Sequence, residues 1–192
     1  GRDHPLGPNL NAGWAACAAA RLRAEFGVSA QPESLVAPLR ALFAEAGIVL
    51  VNSEMAIGAG PAPHSKCAGQ TNCYAFRAPP LAANALRSLG TADARVVANV
   101  ANNHSHDAGG DGFTQTAGQL ARAGVARTGI DTMATVVILP TGDTIAFLGF
   151  YTGSATPAAR NLAAVRRHVA RAREAYGAVV VTAHIGAEGV AA

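Results

Sequence analysis

The sequence predicts an α/β domain, layered around a mixed, largely parallel sheet, with residues 1–192 forming a single domain. Two observations carry this expectation. Short apolar runs rich in β-branched residues, "IVLVN" at 48–52, "ARVVANV" at 94–100 and "AVVVTAHIG" at 178–186, alternate with longer stretches of helical period; this is the pattern of strands joined by crossover helices. Half of the 192 residues are hydrophobic and 14% are charged, enough apolar material to bury a sizeable core.

Each element follows from local signals. "GRDHPLGPNLNAG" is broken by Pro5, Pro8 and three glycines and reads as a loop. A helix is expected over 14–26, stopped by Gly27, with Cys17 on its apolar stripe as a buried thiol. Another is expected over 32–46, ended by Gly47, with Pro38 placed to kink or shorten it. "IVLVN" then reads as a buried parallel strand with a polar exit at Glu54. Residues 56–78 show no periodicity and are long for a plain connection, which marks a functional loop. Pro79 and Pro80 open a helix that Gly90 closes, and "ARVVANV" is the next strand. Asp111 is expected to cap a helix running to about 123, with Gly124 as its stop. "TVVILPTGDTIAFLGFYT" reads as a hairpin at the sheet edge. An Arg-rich amphipathic helix over 158–176 leads into the last buried strand.

Charge narrows the partners. The net +3 comes from arginines dispersed along the expected helices, and Lys66 is the single lysine. No basic run suits a nucleic acid. No apolar run reaches the roughly 18 residues of a membrane-spanning helix. Residue 1 is Gly and the sequence stops shortly after a strand, so the chain is expected to be a fragment or a processed piece.

In open α/β sheets, ligands bind beyond the carboxyl ends of the strands. Three expected strands deliver reactive residues there: "VNSE" at 51–54, "ANNHSHD" at 101–107 and "HIGAE" at 184–188. Glu54, Asn103 and His184 form a mixed oxygen and nitrogen set suited to Mn, Zn or Fe. A two-metal phosphoesterase draws such ligands from several strands, with the ions roughly 3.5–4 Å apart. His104 could protonate a leaving group, and Asp107 could orient it. Taken singly, "NNH" is a set of turn formers, His184 a satisfied strand-end histidine and Glu54 a solvated acid; their joint placement favours the metal reading. Tyr151 and Thr152, at another strand end, either face this crevice or simply pack. "GGDGF" at 109–113 is either a turn before a helix or an anion cradle. Cys67 and Cys73, in "CAGQTNC", can close a small disulfide ring in an oxidising compartment; a zinc site of His64 with both cysteines lacks a fourth ligand in reach.

These motifs resemble those of the poly-γ-glutamate capsule-biosynthesis CapA family. "VNSEMAI" is similar to its "vNlE" segment, "FRAPP" to "frapP", "ANNHSHDAGGDG" and the helix after it to "aNNHslDyG", and "VVVTAHIGAE" to "vvslHwGaEy", in the same order over 48–188. The resemblance implies a layered sandwich like that of calcineurin-like metallophosphatases, with two divalent ions. It makes Glu54 the bridging acid, Asn103 and His184 ligands, and His104 the catalytic histidine. Asp107, Glu188, Asn52 and Asn102 match supporting positions. The family's first strand, ending in a ligand "GD", and its late "GxHPH" segment have no counterpart here, and Asp3 and His4 do not replace the former. The fold is therefore expected to be incomplete at both ends, with weak metal occupancy in this chain alone. Ser53 stands where the family has leucine, and "HIGAEG" lacks an aromatic residue. The resemblance implies a metal-dependent phosphoesterase-like hydrolase of capsule synthesis or export, extracytoplasmic in a bacterium. Its substrate would be a polyanionic polymer or phosphoester, and its partner a membrane-bound capsule-synthesis complex. The alternative is a non-catalytic polymer-handling partner of that complex.

Overall fold

The apolar runs do form strands, divided between two three-stranded sheets and one short pair. The computed structural model describes residues 32–59, 75–153 and 158–186. The expected helix at 14–26, with Cys17, lies outside these residues, as do His64, Cys67, Cys73 and Glu188. In chain order the elements are α1 (Pro32–Val36), continued by a 3-10 helix (Ala37–Phe43), β1 (Ile48–Asn52), β2 (Ala56–Ile57), β3 (Arg77–Ala78), α2 (Ala82–Arg87), β4 (Arg95–Asn99), α3 (Gly109–Arg122), β5 (Ala126–Thr128), β6 (Thr135–Ile138), β7 (Thr144–Tyr151), α4 (Leu162–Ala175) and β8 (Ala178–His184). Among the described residues no helix is long and apolar enough to cross a membrane.

One sheet has the order β1-β4-β5, all parallel, with Asn52 opposite Asn99. The other is β6-β7-β8, where the hairpin β6-β7 is antiparallel and β8 runs parallel to β7, setting Tyr151 opposite His184. Alternation along β4 sorts the layers. Val96, Ala98 and Val100 pack with Ala83 of α2 and Leu120 of α3. Val97, on the opposite face, meets Val137 and Phe147 of the second sheet. Ala146, Leu148 and Phe150 of β7 turn the other way, onto Ala172 of α4. The result is an α/β fold of helix, sheet, sheet and helix layers, its strands mostly parallel.

Local signals hold in several elements. Asn161 caps α4 by accepting from the Ala164 N–H at 3.0 Å. Gly124, at φ +73°, ends α3. The helix expected over 32–46 is shortened at Pro38 as expected: it is α-helical only to Val36 and then tightens to 3-10, because Pro38 has no N–H for an i to i−4 bond and its ring crowds the preceding turn. Three expectations need correction. β1 is parallel but not a buried strand: Val49 is buried, while Leu50 is 37% exposed. Asp111 is not the cap of α3; Ala108 is, with no side-chain bond, and Asp111 sits in the first turn where a carboxylate complements the helix dipole. The last strand is not buried: β8 lies at an edge of its sheet, and Val180 and Val181 are 36% and 45% exposed.

The two sheets come close at a pair of glycines. A Cβ on Gly149 would lie 2.9 Å from the Gly129 Cα and still closer to the Asn99 carboxamide, and Gly129 itself has φ +88°. Thr128 Oγ1 donates to the Phe147 carbonyl across the same seam at 2.9 Å. Gly149→Ala is therefore expected to lower stability by about 1–3 kcal/mol, the usual cost of overpacking. Gly118→Ala, whose Cβ would meet only the tip of Arg122 at 4.0 Å, is expected to raise stability by up to ~1 kcal/mol through better helix propensity. Urea unfolding of both variants tests the seam; equal effects would disprove it.

Candidate active site

Strand ends build the site. β1 and β4 are parallel and in register, so the chain leaves both at one end, and the polar residues after Val51 and Val100 emerge side by side. Ser53 N–H extends the ladder by donating to the Asn99 carbonyl at 2.9 Å. β8 ends at His184 in the facing sheet.

Asn102 joins these pieces. Its carboxamide is buried; Nδ2 donates to Asn52 Oδ1 at 3.1 Å and to the Ser53 carbonyl at 3.0 Å. Its Oδ1 accepts the His104 N–H at 3.0 Å and the Ser105 hydroxyl at 2.9 Å. The Ser105 hydroxyl is shared with the Val100 carbonyl, and both N–H donors and the oxygen of the carboxamide are engaged. Asn52 passes the network on: its Nδ2 donates to Glu54 Oε2 at 2.9 Å and faces His184 Nδ1 at 3.5 Å.

His184 collects the expected ligands. Its Nε2 lies 2.9 Å from Asn103 Oδ1 and 3.6 Å from Glu54 Oε1. One imidazole, one carboxylate and one carboxamide oxygen thus converge from three separate strand ends. Among the described residues no group of three or more His, Cys, Asp or Glu side chains gathers to hold a metal; the third donor here is an amide oxygen. This set fits a divalent ion of the Mn, Zn or Fe kind, which accepts mixed nitrogen and oxygen ligands.

Beside it stands a second pair. Asp107 is 1% exposed, and its Oδ2 lies 2.6 Å from His104 Nδ1. The same oxygen accepts the Phe76 N–H at 2.6 Å. The Phe76 ring in turn rests on the His104 imidazole, centroids 4.4 Å apart. Phe76 precedes β3, which pairs with β2, and that pair is pinned to α3 by the Ile57 N–H donating to Thr116 Oγ1 at 2.8 Å. Both ends of the long 56–78 segment are thereby fixed against the site. His106 turns away and stacks on Phe113 at 4.3 Å.

A cavity of about 340 Å³ opens next to the convergence, lined by Asn103 and His184 on one side and Tyr151, Thr152 and Arg160 on the other. Tyr151 and Thr152 do face the crevice, and the Tyr151 ring lies 5.7 Å from that of His184. Sequence reasoning missed Phe76 and Arg160. "FRAPP" begins 22 residues after Glu54 and 26 before Asn102 and entered only as a segment resembling the family's, and Arg160 was one arginine among many. Ser53 is fully buried with its hydroxyl unpartnered among the described residues.

The family described as bacterial capsule synthesis protein PGA_cap has a sequence model that matches residues 11–192. No curated protein matches the chain. Two substitutions probe the burial of this site. Asp107→Ala leaves the Phe76 amide and His104 Nδ1 without their acceptor and is expected to cost about 1–3 kcal/mol, with faster hydrogen exchange at the Phe76 amide. Ser53→Ala removes an unsatisfied buried hydroxyl and is expected to be neutral or stabilising. Denaturant unfolding reads both, and an unchanged Phe76 exchange rate in the first variant would contradict the bridge.

Proposed function

This chain belongs to the PGA_cap family of bacterial capsule synthesis proteins, and on that footing we propose that its site is a metal-dependent phosphoesterase-like hydrolase centre acting in capsule synthesis or export outside the cytoplasm. The observation that carries this reading is the meeting of His184 Nε2 with Asn103 Oδ1 and Glu54 Oε1. Such a mixed donor set, assembled from distant strand ends at the rim of a cavity, suits a divalent ion. Glu54, Asn103 and His184 would hold it. When bound, the ion would supply Lewis-acid polarisation of a phosphoryl oxygen and a more acidic water.

The protein's own groups supply the rest. His104 Nδ1 is committed to Asp107, so Nε2 is the nitrogen that hands a proton to the leaving oxygen. Asp107 accepts from His104 Nδ1–H and so holds the ring orientation and tautomer that present Nε2 to the leaving oxygen. Phe76 covers the ring, which fixes its plane and excludes water from one side. Asn102 holds the His104 backbone and the β1 exit in one frame, so that proton donor and ligand set keep their relative positions.

The test uses the intact protein loaded with Mn and assayed on a generic phosphodiester and phosphomonoester. Turnover is expected, with His104→Ala lowering it by about 10²–10⁴-fold at unchanged metal content. Glu54→Ala and His184→Ala are expected to lower bound Mn as measured by elemental analysis. A fully metallated protein without turnover would overturn the hydrolase reading in favour of a non-catalytic polymer-handling role.

A further inference from the structure

The cavity beside the ligand set has a second wall that the hydrolase chemistry does not use. Tyr151 ends β7, and the chain returns to it after residue 157: Ala158 bridges to Tyr151, and the Ala159 N–H donates to the Tyr151 carbonyl at 2.8 Å. The Thr152 N–H donates to the His184 carbonyl at 3.3 Å. Main-chain bonds therefore set Arg160 and Thr152 against the strand ends, and their position does not depend on a free loop. Arg160 then leads directly into Asn161, the cap of α4, which fixes the chain on its other side.

Among the described residues of the cavity lining Arg160 is the one permanently charged side chain, and it is exposed. The opposite wall carries His184 and Asn103, with Glu54 behind them at 3.6 Å from His184. An arginine beside a hydroxyl from Thr152 and a phenol from Tyr151 is a planar, multi-donor surface suited to the oxygens of a phosphate or carboxylate.

We infer that Arg160, with Thr152 and Tyr151, forms an anion-binding subsite that receives a phosphate or carboxylate group of the substrate next to the His184–Asn103–Glu54 centre. This rests on the reading of that centre as the reactive one, but the binding itself does not require turnover. Arg160 would act on affinity, while His104 would act on the chemical step.

The subsite is tested by calorimetric titration of the intact protein at low salt with two probes, inorganic phosphate and an oligomer of γ-linked glutamate. Binding of at least one probe is expected, and the stronger of the two identifies phosphate or polycarboxylate as the source of the anion. Arg160→Ala is expected to weaken that binding by about tenfold or more, the loss of a charge-assisted hydrogen bond, and Arg160→Lys to restore part of it. If neither probe binds, or if Arg160→Ala binds as well as the unaltered protein, the subsite is refuted. Failure of hydrolysis with these binding results intact would refute only the hydrolase reading.

Discussion

A single buried carboxamide, that of Asn102, holds the working end of this fold together. Its two donors reach back to the exit of β1 and its oxygen takes two donors from the turn after β4. A buried amide is tolerated only when its polar atoms are paired, and here all of its capacity is spent on binding two strand exits to each other. Asn52, Glu54, His104 and Ser105 are placed by that one group. The geometry of the site is thus a consequence of satisfying an asparagine in an apolar layer.

The same economy recurs one layer away. Asn99 is buried between the sheets and bonds to the Ala101 main chain, and Gly129 and Gly149 leave room for it. Small residues at the seam let two sheets come close enough for β8 to deliver His184 opposite Glu54 and Asn103. Asp107 performs a parallel task for the 56–78 segment, whose Phe76 it captures while it orients His104. Polar groups buried in pairs therefore do what a larger apolar core does elsewhere: they fix which loops meet.

The layered arrangement divides labour. The sheet β1-β4-β5 presents a carboxylate, three amides and a histidine–aspartate pair, and the sheet β6-β7-β8 presents His184 together with the wall of Tyr151, Thr152 and Arg160. The proposed ligand set and the proposed anion subsite meet at the seam between the sheets, on residues from both, in a chain of the PGA_cap family of bacterial capsule synthesis proteins.

The sequence by itself determined the α/β class, the bounds of β1, the hairpin at 135–151 and the candidates Glu54, Asn103, His104, Asp107 and His184, because periodicity, turn residues and unusual polar density are local properties. It also bore a resemblance strong enough to name the family. What it left open followed from contacts made at a distance. That Asn102, besides accepting the His104 N–H as a turn former does, also ties the exit of β1 to that of β4, that Phe76 covers His104, and that Arg160 rather than another arginine lines the cavity each depend on residues more than 20 positions apart being brought together by the fold. The exposure of β8 was decided in the same way, by which neighbours pack against an element, whereas the shortening at Pro38 was legible in the sequence, because a ring without an N–H does not continue an α-helix. Side-chain type announces the chemistry available, and only packing selects the partners that turn it into a site.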